Sequence, residues 1–194
     1  MAQVKKTAVR DAILNSAFLL FREKGYSNTT LADIALEAGV TISNIYNYFD
    51  SKLDILFDVY TPWLDERLDQ LAADVGAAAD PREKLRTVFL TLLRDIPAEI
   101  GGFANNLLQA LSTPKADEVY SRDLLLRSEA KVSAILREIL PESARRPAGD
   151  NALSHLLFMA FDGFAVNYKL NGGTQQAEAI SDMLADLILG TVNP

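Results

Sequence analysis

Three features of the sequence predict an all-α fold. Apolar residues recur at helical spacing along most of the chain, and no stretch alternates with the two-residue period of a strand. The breaks between apolar stretches carry helix caps, prolines and glycines. About nine helices are expected. They fall into a small three-helix head, residues 1–52, and a larger helical body, residues 53–194. There is no internal repeat.

Residues 1–6 read as a mobile arm in which Lys5 and Lys6 can follow phosphates; a disordered basic tail is the alternative. A helix over 7–25 carries Ile13, Leu14, Ala17, Phe18 and Phe21 on one face and ends at Lys24-Gly25, a cation and then a glycine. Thr30, with Asp33 three residues on, has the form of a capping box and opens a short helix with Leu31, Ile34, Ala35 and Ala38 on its apolar face. Gly39 ends it. Thr41 caps a second short helix whose inward residues are Ile45 and Phe49, with Val40 closing the corner. Thr41, Ile42, Ser43, Asn44 and Asn47 then point away, with Tyr46 at the edge. A long helix over 51–78 is expected to bend at Pro62 and to share its apolar face between head and body. Asp80-Pro81 starts the next helix, which Pro97 and Gly101-Gly102 interrupt; a shorter one follows to Leu111. Thr113-Pro114 opens a helix to Leu140, closed by Pro141. After a polar loop, Asp150 caps a helix to Leu170, and Thr174 caps the last, which stops at Gly190.

Two short helices joined by a tight turn form a helix-turn-helix, in which the second helix lies in the DNA major groove. The stretch TLADIALEAGVTISNIYNYFDSK, extended upstream through Arg10, Phe21, Gly25 and Tyr26, resembles the DNA-binding domain of the TetR family of transcriptional regulators. The resemblance covers roughly the first third of the chain. It implies phosphate contacts at Tyr46, Tyr48 and Lys52. Thr30 can add helix N-terminal amides to a phosphate, and Thr41, Ile42, Ser43, Asn44 and Asn47 present the surface that meets the DNA. Asparagine can bond adenine at two points, and an apolar side chain can meet a thymine methyl. Ser43 and Asn44 stand where the family often has Gly-Thr, which bears on sequence preference.

The net charge of −7 argues against nucleic acid until it is divided. Residues 1–52 hold six basic and five acidic side chains, whereas 53–194 hold thirteen and twenty-one. The acid excess lies in the body and limits indiscriminate binding to DNA. With no cysteine, disulfides, thiol nucleophiles and thiolate metal sites are excluded. No apolar run reaches membrane-spanning length and MAQVKKTAVR has no apolar signal core, so a cytoplasmic protein that does not enter the membrane is expected.

The last two helices are apolar on more than one face, so each needs cover on several sides. A homodimer supplies it, through Leu153, Leu156, Leu157, Ala160, Phe164, Tyr168, Ile180, Met183, Leu184, Leu187 and Ile188; two central core helices are the alternative. A dimer also suits a near-palindromic operator, whose half-sites lie about 34–36 Å apart. The TetR resemblance implies the same, and a small-molecule effector in the body. Candidate ligand-binding residues mix aromatic walls with a few polar groups: Trp63, Phe89, Leu93, Phe103, Asn106, Leu107, Ala110, Tyr120, Leu124, Arg127, Phe158, Phe161 and Asp162. That mixture predicts a largely apolar effector. Asp162, amid an apolar run, pairs across an interface, bonds a ligand or lies at a wet edge. His155, the one histidine, reads as a packing or interface residue.

The function these features predict is a ligand-responsive repressor that binds double-stranded DNA as a dimer and is released by its effector. An enzyme lacks parts: no cysteine, one histidine, no phosphate loop, no metal-spaced carboxylates, and no cofactor motif. A DNA-binding regulator controlled by a partner protein, without a ligand, is the alternative.

Overall fold

The computed structural model describes residues 2–112, 121–141, 151–172 and 176–190. Among them the regular elements are all helical. In chain order they are α1 (Ala2–Lys24), α2 (Leu31–Glu37), α3 (Ile42–Tyr46), α4 (Lys52–Ala77), α5 (Pro81–Leu90), α6 (Asn105–Leu111), α7 (Asp123–Ile139), α8 (Ala152–Asn171) and α9 (Ala177–Leu189). Between α5 and α6 the chain makes a π turn (Thr91–Asp95), one α turn (Ile96–Ala98) and a 3-10 turn (Glu99–Gly101).

By packing, the chain forms two compact units: Met1–Leu64 with Phe103–Val119, and Asp65–Gly102 with Tyr120–Pro194. None of the boundaries between these units falls at residue 52, where the sequence divides head from body. In the first unit, Ile13, Ala17 and Phe21 of α1, Ile34 and Ala35 of α2, Ile45 of α3 and Leu53, Leu56 and Tyr60 of α4 are buried together. Phe103, leading into α6, joins them, its ring centroid 5.0 Å from those of Phe18 and Trp63 and 5.9 Å from that of Tyr60.

In the second unit α9 packs on α5. Arg82 reaches Asp186 at 2.6 Å, Arg86 reaches Asp182 at 3.0 Å, and Arg94 reaches Glu178 at 2.7 Å. Cations read up one helix against anions read down the other, which sets an antiparallel register. Each pair is partly exposed and contributes more to register than to stability.

Three expectations about elements are corrected. The first helix begins at Ala2, so residues 2–6 of the expected arm are helical. The residues Ala, Gln and Lys there have good helix propensity, and no glycine or proline stops the helix from growing outward. Pro97 does not break the helix. It sits inside the Ile96–Ala98 turn, immediately after the π turn. Proline lacks an N–H and crowds the carbonyl four residues back, and the wider π turn accommodates both. The helix expected over 113–140 begins instead at Asp123, because Ser121 Oγ accepts the Asp123 amide at 3.1 Å and turns the chain there. The caps expected at Thr113, Asp150 and Thr174 lie outside the described residues.

Beyond the π turn, Ile100 stands at φ 50° and ψ 44°, left-handed backbone that a β-branched residue rarely adopts.

Candidate nucleic-acid interface

Two consecutive capping boxes build the helix-turn-helix. Thr30 Oγ1 accepts the Asp33 amide at 3.1 Å while the Asp33 carboxylate accepts the Thr30 amide at 2.8 Å. Bonds from the Thr30 hydroxyl and amide hold the Asp33 carboxyl below its ordinary range. One turn of chain later the pattern recurs with an amide in place of the acid. Thr41 Oγ1 accepts the Asn44 amide at 3.1 Å, and Asn44 Oδ1 accepts the Thr41 amide at 3.3 Å and the Thr41 hydroxyl at 3.0 Å. Between the boxes, Gly39 takes φ +66° and donates to Leu36 O, while Val40 donates to Ala35 O at 2.9 Å. This is a Schellman ending, whose left-handed position glycine takes without strain.

Ile45 is fully buried and Phe49 nearly so, which fixes how α3 is rotated. Thr41, Ile42, Ser43, Asn44, Tyr46 and Asn47 are consequently exposed, and Tyr48 is half-buried. Ile42 at 42% and Tyr46 at 56% are apolar surface that the described residues leave open. Thr30 is exposed at the α2 N-terminus. Lys52 is placed differently. Its ammonium donates to Tyr26 O and Thr29 O, both at 2.7 Å, and lies 3.9 Å from the Tyr26 ring centre. It clasps the α1–α2 corner, a role its position at a helix start did not signal. Lys6 is exposed, and the side chain of Lys5 lies outside those described.

The candidate ligand residues divide between the units. Trp63, Phe103, Asn106, Leu107 and Ala110 belong to the first; Phe89, Leu93, Leu124, Arg127, Phe158, Phe161 and Asp162 belong to the second. Tyr120 lies outside the described residues. Asn106 is buried, with Oδ1 accepting the Tyr26 amide at 2.6 Å and Nδ2 donating to Phe103 O at 2.9 Å. Arg127 is exposed and ion-paired with Asp65. Phe89, Leu93, Leu124, Phe158 and Phe161 are buried in the second unit. A cleft of about 460 Å³ in that unit is lined by other residues, among them Arg67, Leu71, Ile96 and Glu99, with Arg67 ion-paired to Glu99.

Burial pushes the Asp162 carboxyl up to about 6. An acid raised in the folded state opposes folding once ionised, so the penalty sets in as pH rises from the ordinary 3.8 to about 6. Asp162→Asn should therefore flatten the stability profile across that interval and raise stability at pH 7 by about 1 kcal/mol, the group's partial exposure allowed for. Urea unfolding at pH 4 and pH 7, at one protein concentration, checks this. Near α8's start, His155 Nδ1 lies 2.6 Å from the buried Glu129 carboxylate. Among the described residues, no three acidic or histidine side chains are placed to hold a metal, and no helix is long and apolar enough to cross a membrane.

Of the interface candidates on α8 and α9, Leu156, Met183 and Leu187 are exposed; Leu153, Ala160, Phe164, Tyr168, Ile180, Leu184 and Ile188 are half-buried. Leu157 is 3% exposed and faces its own core. Three exposed residues on α8 escaped the sequence reading: Met159 (46%), Val166 (42%) and Leu170 (75%). With Leu156 (62%) they stand three, seven and four residues apart on one helix seam, with exposed Gly163 in the gap, a signal hidden by the apolar residues on other faces.

Residues 13–59 match the family model described as bacterial regulatory proteins, tetR family. The chain is 25% identical over 187 residues to the HTH-type transcriptional repressor KstR2 of Mycolicibacterium smegmatis, covering 94% of this chain and 90% of that one. Its fold is similar to that of the transcriptional regulator FadR from Bacillus subtilis, solved in complex with stearoyl-CoA (TM-score 0.66, 20% identity, 94% of this chain and 98% of that one). It is also similar to a protein from Saccharomonospora viridis solved in complex with choline (TM-score 0.63, 23% identity, 93% and 95%).

Proposed function

The chain belongs to the TetR family of transcriptional regulators, and from that premise we propose that it is a repressor, released from a near-palindromic operator by a small-molecule effector. The observation that carries the reading is the α3 surface. Two capping boxes and a buried Ile45 turn Thr41, Ile42, Ser43, Asn44, Tyr46 and Asn47 outward together. Thr30, Tyr46 and Tyr48 meet phosphate; Ile42, Ser43, Asn44 and Asn47 meet base edges. By role, residues 1–52 read DNA and 53–194 bind the effector and a second copy. The exposed stripe on α8, with Met183 and Leu187 of α9, is the surface for that copy, which gives a dimer with two reading heads.

The repressor name of the KstR2 relative supports repression, and the ligands of the two fold neighbours, stearoyl-CoA and choline, support a small-molecule effector. By linkage the effector binds the DNA-incompetent state more tightly, since equal affinity for both states would shift nothing. We place the protein in the cytoplasm, with its operator.

The test selects a duplex from a random library with the full-length protein, then measures affinity for selected and random DNA at stated salt. Tyr46→Ala is expected to weaken both alike, roughly three- to tenfold, as loss of a phosphate contact does. Asn44→Ala should weaken the selected duplex more than random DNA. Selection of no duplex would overturn the reading.

A further inference from the structure

The corner between α1 and α2, Gly25 to Thr30, sets how the reading helices stand on α1, and it is held from outside the helix-turn-helix. The Tyr26 amide donates to Asn106 Oδ1 at 2.6 Å, and the Ser27 amide donates to Gln109 Oε1 at 3.1 Å. Asn106 and Gln109 lie one turn apart on α6, so a single helix face presents both carboxamides. The fit is close: a Cβ on Gly25, which stands at φ +79°, would lie 3.0 Å from Gln109 Oε1. Asn106 is itself fixed by its bond to Phe103 O, and Phe103 is packed among Phe18, Tyr60 and Trp63. The Lys52 ammonium takes the Tyr26 and Thr29 carbonyls, so Tyr26 is gripped through its N–H by α6 and through its C=O by α4.

We infer that Asn106 and Gln109 are positioning residues for operator binding: they touch no DNA, and they fix the α1–α2 corner so that α2 and α3 meet the groove in the reading orientation. This rests on the DNA-binding reading above. Loss of the carboxamides leaves α2 and α3 folded, since their caps are internal, but lets them drift on α1. Misorientation costs affinity without removing a phosphate contact.

The experiment uses full-length protein and the duplex that wild type selects. Asn106→Ala, Gln109→Ala and the double variant are compared at a temperature where circular dichroism shows all of them folded. Amide hydrogen exchange is read at Tyr26 and Ser27. The double variant is expected to lose roughly ten- to a hundredfold in affinity, as for two hydrogen bonds removed, one of them buried, with the slope of log affinity on log salt unchanged. Exchange at Tyr26 and Ser27 should speed up while that of Ile45 holds. Gln109→Glu keeps the acceptor for Ser27 and should restore that amide's protection. Should Asn106→Ala fail to fold, Gln109→Ala alone decides, because its bond lies nearer the surface. Affinity within twofold of wild type despite faster exchange at both amides overturns the inference, as does a lowered salt slope. If wild type itself selects no duplex, the DNA-binding reading fails first, and that result is seen without any variant.

Discussion

Leu156→Glu combined with Leu187→Glu is expected to give a folded monomer that no longer binds operator. The two leucines are 62% and 56% exposed in the single chain, so neither is needed for its internal core. In a two-fold dimer each substitution counts twice. Four leucines then lose a burial worth about 1.5–3 kcal/mol each, and four carboxylates enter a stripe otherwise formed by Met159, Val166, Leu170 and Met183. Unpaired charges in a desolvated interface cost several kcal/mol more. A dimer held at about nanomolar strength has roughly 12 kcal/mol to lose, so association fails at any practical concentration. Operator binding fails with it, because one α3 reads too few base pairs to distinguish the site from bulk DNA. Sedimentation equilibrium at micromolar concentration and a gel shift on the selected duplex check both halves. Leu126→Glu, on α7 and 51% exposed, should leave mass and binding unchanged. A double variant that still sediments as a dimer would place the interface elsewhere.

What could be read from the sequence follows the range of the forces involved. Thr30, Gly39 and Thr41 act on their own next few residues, so spacing alone places the two short helices and the turn between them. The inward set Ile34, Ala35, Ile45 and Phe49 follows from helical periodicity and is buried as expected. Pairings made over long separations were not legible. Asn106 reads as a polar handle in an apolar stretch, and nothing near it announces a bond to an amide 80 residues earlier. The same holds for Arg82 with Asp186, 104 residues apart. Lys52 looks like any cation at a helix start until the carbonyls of the α1–α2 corner are seen around it. On α8, apolar residues on all faces hide which row is left uncovered; Leu157 and Leu156 are neighbours in sequence, one buried and one exposed. The π turn was hidden for a different reason: proline is expected to stop a helix, and its accommodation by a wider turn depends on packing around Leu92 and Leu93, both buried.

Phe103→Ala is the second large effect, and its size separates two roles for that ring. The sequence places Phe103 among candidate ligand walls. A wall residue of a preformed cavity already has empty space on one side, and its truncation costs little stability. The structure gives Phe103 1% exposure and three aromatic neighbours from α1 and α4, which makes it part of the first unit's core. Removing a ring so enclosed leaves a void, and the cost is about 3–5 kcal/mol. Small helical units have little stability to spare, so the variant's head should melt at or near room temperature while the second unit keeps its helices. Trp63, the one tryptophan, reports directly because its ring centroid is 5.0 Å from that of Phe103. Its emission should shift to the red as water enters, and urea unfolding followed at Trp63 should begin well before the loss of total helicity. Phe103→Leu keeps most of the volume and should cost about 1–1.5 kcal/mol, with Trp63 emission little changed. An alanine variant with wild-type Trp63 emission and an unaltered urea midpoint would return Phe103 to the walls of a cavity. Phe103→Ala keeps the main-chain carbonyl that Asn106 Nδ2 bonds but loses the ring packing that fixes it, so stability and DNA affinity are expected to fall together in this one variant.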